Sequence, residues 1–295
     1  MMKRAVRAGL AVLLTTVAST ALAERVEIPL ADGTLLRAYW MPRPDGGAAP
    51  AVVALHGCGG LFERTGTVFD PRYPEYAERL HQAGFHVLLP DSFGSRGSGS
   101  ICSEPNGKRT ITVEMRRGDA IAAVDWVSKR PDVDGRPVVM LGWSHGAMTT
   151  LSALNATRPD YARGVAAAVV FYPGCASALK EPFRLQAPML MLLGEKDDWT
   201  PPARCVQLAE RLRQEQPQVE LDVHVYSDSY HGFDSTRPVR FRKDVPNGVS
   251  REGVHQGGNP AARSAALAEI DAFLSRLVGP PSTAASDAAR ASTVR

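Results

Sequence analysis

The stretch that decides the fold is Val138-Val-Met-Leu-Gly-Trp-Ser-His-Gly-Ala147, in which an apolar run meets a Gly-x-Ser-x-Gly pattern. The apolar residues 138–141 predict a buried strand, and residues 147–154 predict a helix. A sharp turn between the two would hold Ser144 in a strained conformation, with glycines where side chains would collide. The free N–H groups at the start of the helix would stabilise negative charge beside its hydroxyl. We therefore predict that Ser144 is an exposed nucleophile.

Apolar runs and helical patterns alternate along the rest of the chain. Residues 25–39 alternate between apolar and polar side chains around Ala31-Asp-Gly33, which predicts an antiparallel hairpin. The runs predict strands at 51–55, 85–89, 165–172, 188–193 and 219–226, and helices at 73–83, 113–128, 204–215 and from Pro260. This order predicts an α/β fold, a mostly parallel central sheet with helices on both faces. Ligands of such sheets bind beyond the C-terminal ends of the strands.

The two ends of the chain differ in composition from the part between them. Residues 1–23 have three basic side chains, an apolar run and then Ala21-Leu-Ala23, as in a secretory signal peptide. A membrane anchor is the alternative, but this run is shorter than the ~20 apolar residues that a span needs. We therefore expect a periplasmic or secreted protein without a stable membrane anchor. Residues 24–278 would form one catalytic domain, and residues 279–295 a flexible tail of small polar residues.

The charge balance narrows the choice of partners. Cleavage after Ala23 would remove three of the 34 basic side chains, which leaves 31 basic and 31 acidic ones. A chain with no net charge and no basic run is not expected to bind nucleic acid or an anionic membrane surface. The balance favours a small, largely uncharged molecule as the substrate.

A serine nucleophile needs a histidine as base and a carboxylate that orients the histidine. His231 follows the last predicted strand, so it would lie on a loop at the same end of the sheet as the serine. His255, in a glycine-rich segment, is a less favoured candidate. The acid is expected after the strand that ends in Gly194, where Asp197 and Asp198 both qualify. We favour Asp197, because a turn after Gly194 would bring it back over the sheet.

A developing oxyanion needs two N–H donors, one after the nucleophile and one from the loop after an earlier strand. The N–H of His145 would be the first. His56-Gly-Cys-Gly-Gly60 follows a predicted strand and would supply the second at Cys58. A glycine-rich loop of this kind can instead bind phosphate, but neither a dinucleotide-binding pattern nor a P-loop lysine is present.

The chain has four cysteines, an even number in a protein expected in an oxidising compartment. No two of them have the close spacing of a structural zinc site, so disulfides are favoured over metal binding. Cys58 and Cys102 would both lie on loops after neighbouring parallel strands. Cys175 and Cys205 would lie on either side of the strand that leads to Asp197. We therefore predict the pairs Cys58–Cys102 and Cys175–Cys205.

The candidate residues resemble, as a set, the dienelactone hydrolase-like branch of the α/β-hydrolases. The resemblance covers about residues 25–277 and rests on the following segments: His56-Gly-Cys-Gly-Gly-Leu61, Asp91-Ser-Phe-Gly-Ser-Arg-Gly97, Gly142-Trp-Ser-His-Gly146, residues 194–201 and Tyr230-His-Gly-Phe-Asp234. It implies the α/β-hydrolase fold and hydrolysis of a carboxylic ester or lactone through an acyl-enzyme, with neither a metal nor an organic cofactor. The enzymes that name the family use a cysteine nucleophile, whereas this chain has Ser144. A general serine carboxylesterase is therefore the preferred interpretation.

Other functions on the same fold remain open. An acyltransferase or a peptidase would use the same residues and differ only in the acceptor or in the bond that is cleaved. A catalytically silent binding protein is the non-enzyme alternative, and the complete set of serine, acid and histidine argues against it. No large insertion resembles a lid, but residues 235–258 are long enough to border the pocket.

Overall fold

The computed structural model describes residues 23–133 and 135–278. The predicted tail and all of the predicted signal peptide except Ala23 lie outside these residues. The strands are β1 (Glu24–Pro29), β2 (Leu35–Met41), β3 (Ala51–Leu55), β4 (His86–Pro90), β5 (Val138–Trp143), β6 (Val165–Phe171), β7 (Met189–Gly194), β8 (Leu221–Tyr226), β9 (Arg240–Arg242) and β10 (Val254–Gln256). The helices are α1 (Arg72–Gln82), α2 (Val113–Ser128), α3 (His145–Ala153), α4 (Ala176–Lys180), α5 (Ala203–Glu215) and α6 (Pro260–Val278).

Eight strands form one sheet in the order β1-β2-β4-β3-β5-β6-β7-β8. β2 pairs antiparallel with β1 and with β4, and every other neighbouring pair in the sheet is parallel. The predicted hairpin and the mostly parallel sheet are therefore both confirmed. Because β3, β5, β6, β7 and β8 run in the same direction, the loops after them meet at one edge of the sheet, where the candidate residues lie.

Helices cover both faces of the sheet. α1 and α6 pack on one face, where Tyr76 and Phe273 lie against the apolar side chains of β5 and β6. α2, α3 and α5 pack on the other face and bury Ala123, Leu151 and Leu208. β3, β4, β5 and β7 are buried along their whole length, which explains why each reads as a continuous apolar run instead of an alternating one.

The predicted elements lie within about two residues of the observed ones, the usual scatter of helix and strand ends. Asn259 caps α6, since its Oδ1 accepts hydrogen bonds from the N–H groups of Ala261 and Ala262. Four short elements were not predicted, namely the 3-10 helix Gly94–Arg96, α4 and the two strands of the β9–β10 hairpin inside residues 235–258. Each has only three to five residues, too few for a periodic pattern to appear in the sequence. In the part of the chain that the structure describes, no helix is both long enough and apolar enough to span a membrane.

Candidate active site

Ser144 lies on a sharp turn between β5 and α3. Its backbone has φ 51° and ψ −113°, a strained conformation for a residue with a side chain. A Cβ atom on Gly146 would come within 2.0 Å of the carbonyl oxygen of Leu55, and one on Gly142 within 2.6 Å of the carbonyl oxygen of Gly146. Both glycines of the Gly-x-Ser-x-Gly pattern are therefore needed for α3 to pack closely against β3 and β5.

Three candidate residues from three different loops meet at this turn. His231, on the loop after β8, has its Nε2 2.9 Å from Ser144 Oγ. Asp197, on the loop after β7, has its Oδ2 2.8 Å from His231 Nδ1. The His231 and Asp197 side chains are only 2% and 1% exposed, so water does not compete for the contact between them. The arrangement allows the serine proton to pass to the imidazole while the carboxylate stabilises the resulting cation.

The turn after β7 fixes the orientation of the Asp197 carboxylate. Its Oδ1 accepts hydrogen bonds from the N–H groups of Trp199 and Thr200, at 2.9 and 2.8 Å. Thr200 Oγ1 also lies 3.0 Å from Asp197 Oδ2 and 3.1 Å from His231 Nδ1. Sequence analysis did not single out Thr200, although an Asp whose side chain binds backbone N–H groups a few residues later is typical of such a turn.

The ring of His231 lies between two aromatic side chains. The ring centroids of Tyr172 and Trp199 are each 4.5 Å from that of His231. Both rings limit the rotation of the imidazole and exclude water from its faces, which favours a single orientation toward Ser144. Neither contact was predicted, because Tyr172 follows β6, Trp199 follows β7, and both are distant from His231 in the sequence.

Tyr172 is itself held by the buried carboxylate of Asp234. Tyr172 Oη donates to Asp234 Oδ1 at 2.6 Å, and Trp143 Nε1 donates to Oδ2 at 3.0 Å. Arg72 on α1 forms an ion pair with the same carboxylate at 3.0 Å. Burial raises the pKa of Tyr172 well above its ordinary value, so its hydroxyl keeps the proton that it donates. The carboxylate therefore connects α1, β5 and β6 behind the candidate catalytic residues.

Asp198, the alternative acid, points away from Ser144 and binds another histidine. Its Oδ2 lies 2.7 Å from His255 Nδ1, and its Oδ1 accepts a hydrogen bond from the His255 N–H at 2.8 Å. The Asp198 carbonyl oxygen accepts a hydrogen bond from the Val249 N–H at 2.8 Å. The geometry thus places Asp197 at His231, and it uses Asp198 and His255 to attach residues 235–258.

Residues 235–258 begin and end next to His231. The Gly257 N–H donates to the His231 carbonyl oxygen at 3.0 Å. In the middle of this segment, Asn247 lines the cavity beside Ser144 and donates to the Glu104 carbonyl oxygen at 2.8 Å. The segment therefore borders the pocket, as its length suggested.

The two predicted N–H donors lie on either side of Ser144. His145 is the first residue of α3, so its N–H has no acceptor within the helix. The loop that carries Cys58 lies against the nucleophile, since a Cβ atom on Gly57 would be 3.7 Å from Ser144 Cβ. Within residues 23–133 and 135–278, no backbone acceptor binds the N–H of Cys58 or of His145. Both groups are therefore available to an oxygen atom in the cavity.

The four cysteines form two disulfides, Cys58–Cys102 and Cys175–Cys205, in the pairing that the sequence analysis favours. The first bond joins the loop after β3 to the segment that follows β4. The second joins the loop after β6 to α5. All four cysteines lie within the described residues, and none is a free thiol.

A cavity of about 590 Å³ opens beside Ser144, a volume typical of small-molecule sites. Its apolar wall includes Met148, Leu151 and Phe183. Its charged lining residues include Arg109, which lies on the segment that follows Cys102. Among the described residues, no group of three or more His, Cys, Asp or Glu side chains could hold a metal ion.

The fold and the site together define a hydrolase of the α/β-hydrolase fold. The chain belongs to the dienelactone hydrolase family, whose model matches residues 36–276.

Three known proteins illustrate what this chain is similar to. An uncharacterized protein of Mycobacterium tuberculosis is 27% identical over 203 residues, which is 63% of this chain and 65% of that protein. Acylamino-acid-releasing enzyme 1 of Oryza sativa subsp. japonica is 25% identical over 247 residues, which cover 70% of this chain but only 30% of the enzyme. The structure of Thermogutta terrifontis esterase 2 superposes with a TM-score of 0.60 at 18% identity, and covers 88% of this chain and 96% of that one.

Proposed function

We propose that this protein is a serine hydrolase that cleaves carboxylic esters or lactones through an acyl-enzyme intermediate. The observation that carries the proposal is the continuous contact from Ser144 Oγ to His231 Nε2 and from His231 Nδ1 to Asp197 Oδ2, at 2.9 and 2.8 Å. Ser144 lines a cavity that is large enough for a small ester. We assign Ser144 as nucleophile, His231 as general base and acid, and Asp197 as the residue that orients His231.

The reaction proceeds in two halves. Ser144 Oγ attacks the ester carbonyl carbon while its proton passes to His231 Nε2, and the carbonyl oxygen becomes an oxyanion. The N–H groups of Cys58 and His145 stabilise that oxyanion. The bond to the leaving alkoxy oxygen then breaks, and His231 returns the proton to the alcohol. Water, deprotonated by His231, next attacks the acyl group, and the acid product leaves with Ser144 restored.

We further propose that residues 24–278 are the catalytic domain of an exported protein. The basic and apolar pattern of residues 1–23 motivates this proposal. Two disulfides are compatible with it, because disulfides persist in oxidising compartments such as the periplasm. Mass spectrometry of the protein from the periplasmic fraction of an expressing bacterium should give an N-terminus at Glu24. An intact N-terminus there would contradict the cleavage site.

A peptidase is the second candidate, and the similarity to the rice acylamino-acid-releasing enzyme favours it. An amide is a poorer substrate than an ester for the same residues, because its leaving group must be protonated as it departs. The two candidates therefore differ in the relative rate with an N-acetyl amino acid ester and with the matching amide.

The experiment that tests the function is a set of chromogenic esters of short and medium acyl length, together with a simple lactone and that amide. We expect ester turnover by the wild-type protein and none by Ser144→Ala. Electrospray mass spectrometry after brief mixing should detect an acyl group on the peptide that contains Ser144. Turnover of the amide that is lost in Ser144→Ala would favour the peptidase, whereas turnover of the esters alone would favour the esterase. Equal rates with and without Ser144 would refute the proposed nucleophile.

A further inference from the structure

An arginine is completely buried behind the nucleophile turn. Arg116, on α2, has 0% exposure, and within the described part of the chain it forms no salt bridge. Its Nη2 donates to the carbonyl oxygen of His56 at 2.8 Å, and its Nη1 lies 2.9 Å from His145 Nδ1. The guanidinium carbon stands 4.9 Å from the centre of the Phe93 ring. Burial of a cation that forms no salt bridge is costly, so its contact with His145 requires an explanation.

The contact with Arg116 fixes the position of the proton on the His145 ring. A guanidinium group only donates hydrogen bonds, so His145 Nδ1 must accept, and the single proton of the neutral ring must lie on Nε2. A second proton on Nδ1 would point one N–H group at another. The groups that face this ring are Arg116, Arg109 and His56, and none of them is an anion. Burial, and then the charge of Arg116, hold the pKa of His145 well below its ordinary value.

The protonated nitrogen faces the cavity. His145 is one of the residues that line the cavity next to Ser144. Nε2 of His145 has no hydrogen-bond acceptor in the described residues, but it is not completely buried. His56 Nε2, in contrast, is completely buried and has no partner. An atom with neither a partner nor complete burial borders open space, and His145 lines this cavity.

We propose that the His145 side chain is a substrate-binding hydrogen-bond donor, which Arg116 holds in the Nε2–H form. It selects esters that carry an acceptor oxygen, such as an ether oxygen, close to the scissile bond. This role is additional to that of the His145 backbone N–H. His145 acts as a specificity-determining residue and Arg116 as a positioning residue. The substrate part of the proposal rests on the proposed ester hydrolysis, whereas the position of the proton does not.

The chain allows a matched pair of variants at His145. In His145→Asn, the amide oxygen can still accept from Arg116, but the side chain is too short to donate into the cavity. In His145→Gln, the longer amide can place an N–H group near the position of Nε2. Both variants keep the backbone N–H, so differences between them report on the side chain alone.

The kinetic test compares p-nitrophenyl methoxyacetate with p-nitrophenyl butanoate, in which a CH₂ group replaces the ether oxygen. The measured quantity is the kcat/KM of the methoxyacetate divided by the kcat/KM of the butanoate. Comparing this ratio between wild type and variant cancels the different intrinsic reactivities of the two esters. We expect the ratio to fall about tenfold in His145→Asn, the effect of one lost hydrogen bond, and to change much less in His145→Gln. An unchanged ratio in His145→Asn would overturn the proposed selectivity.

The second test needs no turnover, so it separates failure of this proposal from failure of the proposed function. Ser144→Ala protein with ¹⁵N-labelled histidine is examined by NMR, with His145→Asn in the same background to assign the His145 signals. We expect a proton on Nε2 and none on Nδ1 from about pH 5 to about pH 8, where most histidines titrate. Methyl methoxyacetate should shift the Nε2 signal, and methyl butanoate should not.

Two results would overturn the proposal in this second test. One is a proton on Nδ1 of His145, and the other is a His145 signal that responds equally to both methyl esters. Arg116→Gln replaces the cation by a neutral amide, which can either donate or accept a hydrogen bond. This variant should therefore give a mixture of the two neutral forms of the His145 ring. If Arg116→Gln does not fold, the wild-type proton position and the response to the two esters still decide the matter.

Discussion

Asp197 and Asp198 are adjacent in the chain, yet their carboxylates bind two different histidines. Asp197 contacts His231 at 2.8 Å, and Asp198 contacts His255 at 2.7 Å. The first pair connects to Ser144, whereas the second attaches the segment that borders the cavity. Two neighbouring acids of the same chemistry therefore have separate roles.

This separation predicts unequal effects of two equivalent substitutions. Asp197→Asn should lower kcat by about ten-thousandfold, because an amide favours the wrong tautomer of His231 and does not stabilise its cation. Asp198→Asn should lower kcat less than tenfold, because it loosens a loop and leaves His231 in place. Steady-state kinetics on one chromogenic ester measures both. Similar losses in the two variants would show that the loop attachment matters as much as the proposed triad.

The strained backbone at Ser144 predicts a stability difference between two inactive variants. Glycine adopts a positive φ freely, whereas alanine does not. Release of about 1–3 kcal/mol of strain exceeds the extra entropy that glycine adds to the unfolded chain. Ser144→Gly should therefore be about 1 kcal/mol more stable than Ser144→Ala in urea unfolding. If alanine were the more stable variant, strain at the turn would be excluded.

The buried carboxylate of Asp234 predicts a large loss of stability on truncation. Asp234→Ala would leave Arg72 without its partner and two further donors without an acceptor, at a cost of about 3–5 kcal/mol. Asp271→Ala, which removes the half-exposed ion pair of Arg79, is the control and should cost under about 1 kcal/mol. Denaturant titrations compare the two. Equal losses would mean that Asp234 contributes no more than a surface charge.

The two disulfides should contribute similarly to stability and differently to activity. They close 44 and 30 residues, so each should contribute about 4 kcal/mol in the chain-entropy model. Replacing Cys58 and Cys102 by serine should also lower kcat at least about tenfold, because Cys58 carries a proposed oxyanion donor. Replacing Cys175 and Cys205 should leave kcat close to wild type at temperatures where the variant is folded. Unchanged kcat in the first variant would separate that loop from the chemistry.

The depressed pKa of His145 predicts a pH dependence of stability. Below about pH 6.5 the unfolded chain binds a proton at this residue more readily than the folded protein does, so stability falls as the pH falls. Between about pH 7 and pH 5, the loss from one such histidine is at most about 2 kcal/mol. His145→Asn should therefore lose less stability than wild type in urea titrations at the two pH values. Ser144→Ala is the control and should keep the wild-type difference.

Local patterns were sufficient to predict the sharp turn at Ser144 and the sheet. The strand, the glycine spacing and the helix after Ser144 are all encoded within about ten neighbouring residues. The alternation of strands and helices then predicts a parallel sheet, and in such a sheet the loops after the strands, including the loop with His231, meet at one end.

The residues that surround the site could not be predicted in the same way. Arg116 looks like an ordinary surface charge on α2, and it is buried only because α2 packs against α3. Asp234 finds its partners 62 and 91 residues earlier in the chain, at Tyr172 and Trp143. Asp197 and Asp198 fit the same spacing after β7, and the choice between them depends on His255, which lies more than fifty residues away. Such contacts arise from packing between distant elements and leave no periodic signal.

The two ends of the segment 235–258 lie close together, so the segment can be replaced as a unit. Its exit at Gly257 is hydrogen-bonded to its entry at His231, so its length can change without displacing the imidazole. Doubling a flexible loop costs only about 0.6 kcal/mol in closure entropy. A longer or shorter segment that keeps His255 could reshape the cavity wall near Asn247 while the contacts of Ser144 and Asp197 stay intact. For protein engineering, this is the place where substrate range can be altered separately from the chemistry.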